Sequence, residues 1–325
     1  IRVLWSREDE MSAAPIGAAM ATRICATVDA SGRPLEWTTE IWSGPHARRP
    51  GMNGGVHLLG AEALPDAASP PPPADLPDAV GGGATRNGLA LYDLPHQRLI
   101  HRMIPDQPVR TSSLRALGAF TNVFAIEGFM DELADASGRD PVEYRLSLLS
   151  DPRARRVIET AAAMSDWDPR QASGLGRAKG IGFARYKNRG AYCAVVIDLE
   201  LDEEIKLRNA WCAVDAGFIV NADGARNQIE GGIIQSASWT LKEAVRFADG
   251  EIASRDFDSY PMLRFSDIPL IDVRLIGASD EQSVGVGEAA AGPVAGAIGN
   301  AASRALGARL RQLPLSRDRI LAALL

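Results

Sequence analysis

Apolar and polar positions change period several times along this chain. Residues 22–29 are rich in β-formers, Ala30-Ser31-Gly32-Arg33 supplies turn chemistry, and residues 34–43 resume with Trp and Thr. That pattern predicts a β-hairpin. Residues 1–5 also read as a strand, one already under way where the sequence begins. From Asn122 the period becomes helical: Phe124, Ile126, Phe129, Met130 and Leu133 share one face, and Gly138 is a natural stop. Asp140-Pro141 places an N-cap and a first-turn proline ahead of a second helix reaching Leu149. Residues 153–164 predict a third helix. Strands return over 191–201 and 204–214. A helix follows over 223–245, a strand lies within 263–277, and helices close the chain over 289–306 and 317–324. This irregular alternation predicts an α+β fold with mixed sheets and packed helices, not a doubly wound parallel sheet. Residues 64–84 carry a proline run at 70–73 and then Gly81-Gly82-Gly83, which predicts a linker, extended first and flexible after.

Composition narrows the function. With 46% hydrophobic and 23% charged residues, the 325-residue chain is an ordinary folded protein of one large or two average domains. A net charge of −6 argues against a nucleic-acid partner. Cys25, Cys193 and Cys212 are too few for an iron–sulfur cluster held by four thiolates. His46, His57, His96 and His101 show no paired spacing of the zinc-site kind. No apolar run reaches the roughly 18–20 residues of a membrane span.

Three segments are hard to explain by packing alone. In Gly285-Val286-Gly287-Glu288, two glycines let backbone approach a ligand, and the carboxylate at a helix start suits a general base. An ordinary helix-start Glu after a turn explains the same residues. In the stretch from Gln228 to Gln235, Gly231 and Gly232 interrupt a helical pattern at about 1 kcal/mol each relative to Ala. Such glycines serve either close helix packing or close ligand approach. Arg115-Ala116, in a Gly/Ala-rich loop ahead of a helix, could bind an anionic group or be surface charge.

Taken together, in order and spacing, these segments resemble the molybdenum-binding subunit of the xanthine oxidase family. The likeness is greatest to the branch typified by the isoquinoline 1-oxidoreductase beta subunit. Arg115–Gly118 and the helix that follows it, from Asn122 to Ala134, resemble that branch's Arg-x-x-Gly loop and its next helix. Gly138 to Arg145, Ala213 to Gly217, Val220-Asn221, Tyr260 to Arg264 and Arg309 to Leu315 continue the likeness, as does Trp5 to Met11. It covers essentially the whole chain.

The resemblance implies a molybdenum hydroxylase acting on an electron-poor carbon of an N-heterocycle or aldehyde, with water as the oxygen source. It implies molybdenum held by a pterin dithiolene, in the molybdopterin cytosine dinucleotide form, with no protein side chain on the metal. Glu288 matches the general base, and Arg115 lies on the loop beside the metal. Ala116, Gln228, Gly231, Gly232, Gln235, Gly285, Val286 and Gly287 match cofactor-binding positions. Departures are Ala216 for a frequent Cys, Ser236 for a Gly, Ala289 and Ala290 for prolines, and Leu114 for an aromatic. These departures keep a non-catalytic scaffold on the same fold as the alternative.

Family members of this branch are about twice as long, and no Gly-Gly-x-Phe-Gly loop is present here. The resemblance therefore implies the C-terminal half of a split or cleaved subunit. Residues 1–108 would finish a first cofactor-binding domain and 109–325 would form the second. The N-terminal half would be a separate chain, [2Fe-2S] clusters would sit on another partner, and no FAD is expected in this chain. A bacterial cytoplasmic or periplasmic setting is implied, without a choice between them.

Overall fold

A computed structural model describes residues 1–46, 60, 64–66, 74–168 and 176–324. Helix α1 (Arg7–Ala13) opens the chain, followed by β1 (Met20–Val28), β2 (Pro34–Ser43) and β3 (His96–Met103). Helices α2 (Ala119–Ala136), α3 (Pro141–Ser147) and α4 (Pro152–Met164) come next. Then follow β4 (Arg177–Arg185), β5 (Tyr192–Leu201), β6 (Ile205–Asp215) and α5 (Ala222–Leu241). The small hairpin β7 (Phe247–Ala248) and β8 (Glu251–Ile252), β9 (Leu270–Leu275), α6 (Ala291–Leu306) and α7 (Arg317–Leu324) complete it. The architecture is α+β with mixed sheets, as the sequence predicts.

One sheet has the order β1-β2-β3, with β2 antiparallel to β1 and parallel to β3. The predicted hairpin is its first pair, and Asp29 shapes the turn by accepting from the N–H groups of Ser31 and Arg33. The larger sheet has the order β4-β5-β6-β9, with only the β6–β9 pair parallel. Strand β5 is buried on both faces. Cys193, Val195 and Ile197 enter the core under α5 and α6, while Tyr192, Ala194 and Val196 enter the core under α4.

Packing of α6 on β4 explains a strand that periodicity misses. Gly180 and Gly182 sit where a Cβ would lie 2.2 Å from the Ala301 nitrogen and 2.1 Å from the Pro293 oxygen. Helix backbone rests directly on strand backbone, so glycine is the only residue that fits. The helix itself is Ala/Gly-rich and buried along nearly its whole length. This contact fixes the start of α6, and with it the turn carrying Glu288.

Four expectations are corrected. Residues 1–5 form no strand. Instead Ser6 caps α1 in a reciprocal pair with Asp9, a Ser-x-x-Asp signal that the apolar run hides. The charged strand β3 was not expected, because an edge position tolerates its His, Gln and Arg residues. The Gly81–Gly83 stretch is no flexible linker: Arg86 donates from Nε to the Gly81 oxygen (3.1 Å) and from Nη2 to the Gly82 oxygen (2.7 Å). The proline run at 70–73 lies outside the described residues. Finally, α5 ends at Leu241, short of the expected 245.

The predicted cap at Asp140 and stop at Gly138 are present, and Asp151 and Gly307 add two that the sequence reading did not name. Asp140 accepts from the N–H groups of Val142 (2.9 Å) and Glu143 (3.0 Å), and Asp151 caps α4 the same way. Gly138 takes φ 65° just after α2, and Gly307 takes φ 72° after α6. No helix among the described residues is long and apolar enough to cross a membrane.

Candidate functional site

Three sequence-distant segments meet at one place. The loop before α2 brings Arg115 and Ala116, the outer face of α5 brings Gln228 and Gln235, and the turn before α6 brings Gly287 and Glu288. These are the segments singled out in the sequence.

The loop is strained in a directed way. Ala116 (φ 72°) and Leu117 (φ 49°) both lie in the left-handed region, which costs a non-glycine residue on the order of 1–3 kcal/mol. Close packing holds it there. The Gly118 N–H donates to the Gly83 oxygen (3.1 Å), and a Cβ on Gly118 would lie 2.4 Å from the Ala84 oxygen. Asn122 ties the same segment down by donating to the Ala84 and Arg86 oxygens (2.7 and 2.9 Å). The result is that the Ala116 N–H donates to Glu288 Oε1 at 2.7 Å.

Arg115 acts as a brace. Its Nε donates to the Gly287 oxygen (2.6 Å), Nη1 to Gln235 Oε1 (3.1 Å), and Nη2 to the Gln228 oxygen (3.1 Å) and Gln228 Oε1 (2.9 Å). Both glutamine oxygens are thus used inside the protein, and among the described residues neither amide nitrogen is engaged. Gly232 is explained by this brace: a Cβ there would sit 3.3 Å from Arg115 Nη2. Gly231, Gly285 and Gly287 differ. A Cβ at any of them would meet nothing within 4 Å, so their backbone borders open space. Val286 between them packs partly into the core.

Glu288 is half-buried in the turn that precedes α6, whose N-cap is Ala290. It does not cap the helix, as a helix-start Glu would. Its Oε1 points back to the Arg115 loop, and its Oε2 accepts from the Tyr186 hydroxyl at 2.5 Å. Tyr186 is buried, and Arg86 Nη1 donates to its oxygen at 2.6 Å. Burial, reinforced by the acceptor Glu288, pushes the Tyr186 hydroxyl far above its usual range, so it stays protonated. Sequence reasoning missed Tyr186 and Arg86. Tyr186 lies in no motif, and Arg86 follows the Gly81–Gly83 stretch, whose composition reads as a flexible linker.

The departures noted in the sequence fall around this site. Ala289 and Ala290 are buried at the end of the turn, where α6 begins, and Ser236 is buried with its hydroxyl donating to the Ala291 oxygen at 2.6 Å. Ala216 is buried in the core, whereas Leu114 is exposed at the loop.

The chain is similar to known proteins over nearly its whole length. A molybdopterin cofactor-binding domain family matches residues 153–269. The chain is 37% identical to a nicotinate dehydrogenase subunit of Pseudomonas putida, over 100% of this chain and 27% of that protein. It is 34% identical to the isoquinoline 1-oxidoreductase beta subunit of Brevundimonas diminuta, over 97% of this chain and 38% of that protein. The chain therefore spans well under half the length of these relatives. Among solved structures, quinoline 2-oxidoreductase from Pseudomonas putida superposes with a TM-score of 0.76 at 13% identity, over 98% of this chain and 64% of that one. Aldehyde oxidoreductase from Desulfovibrio gigas gives 0.74 at 12% identity, over 98% and 50%. These two likenesses are of fold.

Proposed function

The chain belongs with the molybdenum-binding subunits of the xanthine oxidase family, and from that premise we propose that it forms the base-bearing side of a molybdenum hydroxylase's catalytic centre. The observation that carries this reading is Glu288: a carboxylate met by a backbone N–H and a phenol, beside backbone that borders open space.

The residues present fit a dithiolene pterin with a dinucleotide tail. Bare backbone at Gly285 and Gly287, the open face at Gly231 and the amide nitrogens of Gln228 and Gln235 offer donors to an anionic, ring-bearing group. Val286 would back the turn, and Ala116 would border the metal edge. Bound there, the cofactor supplies a Lewis-acidic metal and an acceptor for two electrons.

This chain's own residues prepare the proton step. Glu288 takes a proton from the attacking water-derived oxygen. The Ala116 N–H keeps Oε1 in place, and each carboxylate oxygen retains a lone pair for that proton. Arg115 locks the Gly287 oxygen to α5, so the base and the cofactor cradle move as one body. Gly232 makes room for Arg115 rather than for the cofactor. The substrate is an N-heterocycle or an aldehyde, and the relatives named for nicotinate and isoquinoline favour the heterocycle. The cofactor is the cytosine dinucleotide form. The [2Fe-2S] clusters are supplied by partner chains.

Metal and pterin analysis of the purified assembly tests this. Stoichiometric molybdenum that falls away in Arg115→Ala supports the reading. An assembly free of molybdenum and pterin would favour the scaffold alternative.

A further inference from the structure

We infer that Tyr186, oriented by Arg86, is a positioning residue that fixes the place of the Glu288 carboxylate; this rests on the base assignment above. The argument is one of hydrogen-bond polarity. A guanidinium only donates. Arg86 Nη1 donates to the Tyr186 oxygen at 2.6 Å, so the single hydroxyl proton of Tyr186 must go elsewhere. The acceptor is Glu288 Oε2 at 2.5 Å. On the other side, the Ala116 N–H can only donate to Oε1. Both carboxylate oxygens are therefore required to accept. Each oxygen is thereby fixed in position by one bond while its second lone pair stays free. The polarity of the chain Arg86→Tyr186→Glu288 aims the hydroxyl at the carboxylate.

Each link is itself held. Arg86 is buried, and its other two nitrogens donate to the Gly81 and Gly82 oxygens. Its guanidinium also lies 5.5 Å from the centre of the Tyr186 ring, within range of a cation–π contact. Tyr186 starts a turn in which Lys187 (φ 56°) and Asn188 (φ 55°) both take the left-handed region. Asn87 enforces that turn by donating to the Arg185 oxygen (2.8 Å) and Asn188 Oδ1 (2.9 Å) and by accepting from the Lys187 N–H (2.8 Å). Asn188 in turn donates to the Leu89 oxygen at 3.0 Å. Backbone strain kept in place by four side-chain hydrogen bonds is a device for aiming one group. The group aimed is the Tyr186 hydroxyl.

The arrangement also separates charge from contact. Arg86 influences Glu288 through a neutral phenol, so the base is steadied without a cation on it. A direct ion pair would hold the carboxylate equally well but would oppose its protonation during turnover.

The test is Tyr186→Phe in the assembled holoenzyme, with Glu288→Gln as the reference. The phenyl ring keeps its packing and its contact with Arg86 while the hydroxyl is lost. The expected result is a fall in kcat of about 10- to 100-fold, part of the 10²–10⁴ worth of a general base. KM and molybdenum content stay at wild-type levels, and a crystal structure of the variant shows the Glu288 carboxylate displaced or in two positions. If Glu288→Gln is inactive while Tyr186→Phe has wild-type kcat and an unmoved Glu288, the inference is overturned and the base assignment stands. If Glu288→Gln turns over normally, the base assignment itself falls. Should Tyr186→Phe fail to accumulate, Arg86→Lys must show the same kcat-selective loss, and wild-type kcat there would overturn the inference.

Discussion

Two glutamates in this molecule are dressed with the same groups and differ in one. Glu127 on α2 accepts from the Tyr92 hydroxyl (2.8 Å) and the Phe183 N–H (3.0 Å). Glu288 accepts from the Tyr186 hydroxyl (2.5 Å) and the Ala116 N–H (2.7 Å). Phe183 and Tyr186 stand three residues apart at one end of β4. The difference is the cation. Arg145, fully buried, pairs directly with Glu127 at 2.9 Å and with Asp131 at 2.7 Å. Arg86 stops one hydroxyl short of Glu288, and Arg115 spends its donors on Gly287, Gln228 and Gln235. A carboxylate neutralised on all sides is a structural tie. One held by neutral donors and open on a side can take a proton.

That contrast can be broken at several points. The largest expected effect is on the structural side. Arg145→Met leaves Glu127 and Asp131 buried without their cation and should cost about 3–5 kcal/mol in chemical denaturation. Unchanged stability would mean that the buried cluster is not what it is taken to be. Next is Gly182→Ala, which puts a methyl 2.1 Å from the Pro293 oxygen. Overpacking of this kind costs about 1–3 kcal/mol. Because α6 begins at Pro293's own turn, the variant should also disturb Glu288 and so damage both regions together.

Smaller effects sharpen the functional side. Arg115→Ala removes a half-exposed brace, so unfolding should change by no more than about 0.5 kcal/mol while cofactor retention falls. A large stability loss would move Arg115 into the structural class. The smallest effect is a pH dependence at a third cluster. Burial pushes Asp215 up, but Arg153, the Gly217 N–H and Arg156 outweigh it and leave its pKa below the usual 3.8. A carboxyl lowered in the folded state stabilises above its unfolded value. That contribution is lost as pH falls through the lower folded value. Acid titration should therefore show Asp215→Asn with a shallower loss of stability below the usual Asp range than wild type.

Much of this was readable beforehand because it was local. The cap at Asp140, the stop at Gly138 and the hairpin at 29–33 are short-range devices written in adjacent residues. The Arg115, Gln228–Gln235 and Gly285–Glu288 segments were readable as motifs, and the structure brings them together. What escaped notice depends on distance. The glycines of β4 make sense only against the α6 backbone, more than a hundred residues away. Tyr186 has no motif of its own, because its meaning comes from Arg86 and Glu288, each about 100 residues distant. Residues 1–5 misled because apolar character outweighed the capping pair that follows.

The central claim is that Glu288 is the working carboxylate and Glu127 the structural one. Glu288→Gln and Glu127→Gln, made separately in the same holoenzyme, compare them directly through kcat, molybdenum content and melting temperature. The account predicts that Glu288→Gln loses about 10²–10⁴ in kcat with molybdenum and melting unchanged, while Glu127→Gln loses melting temperature. Wild-type turnover in Glu288→Gln, with its molybdenum bound, would contradict it.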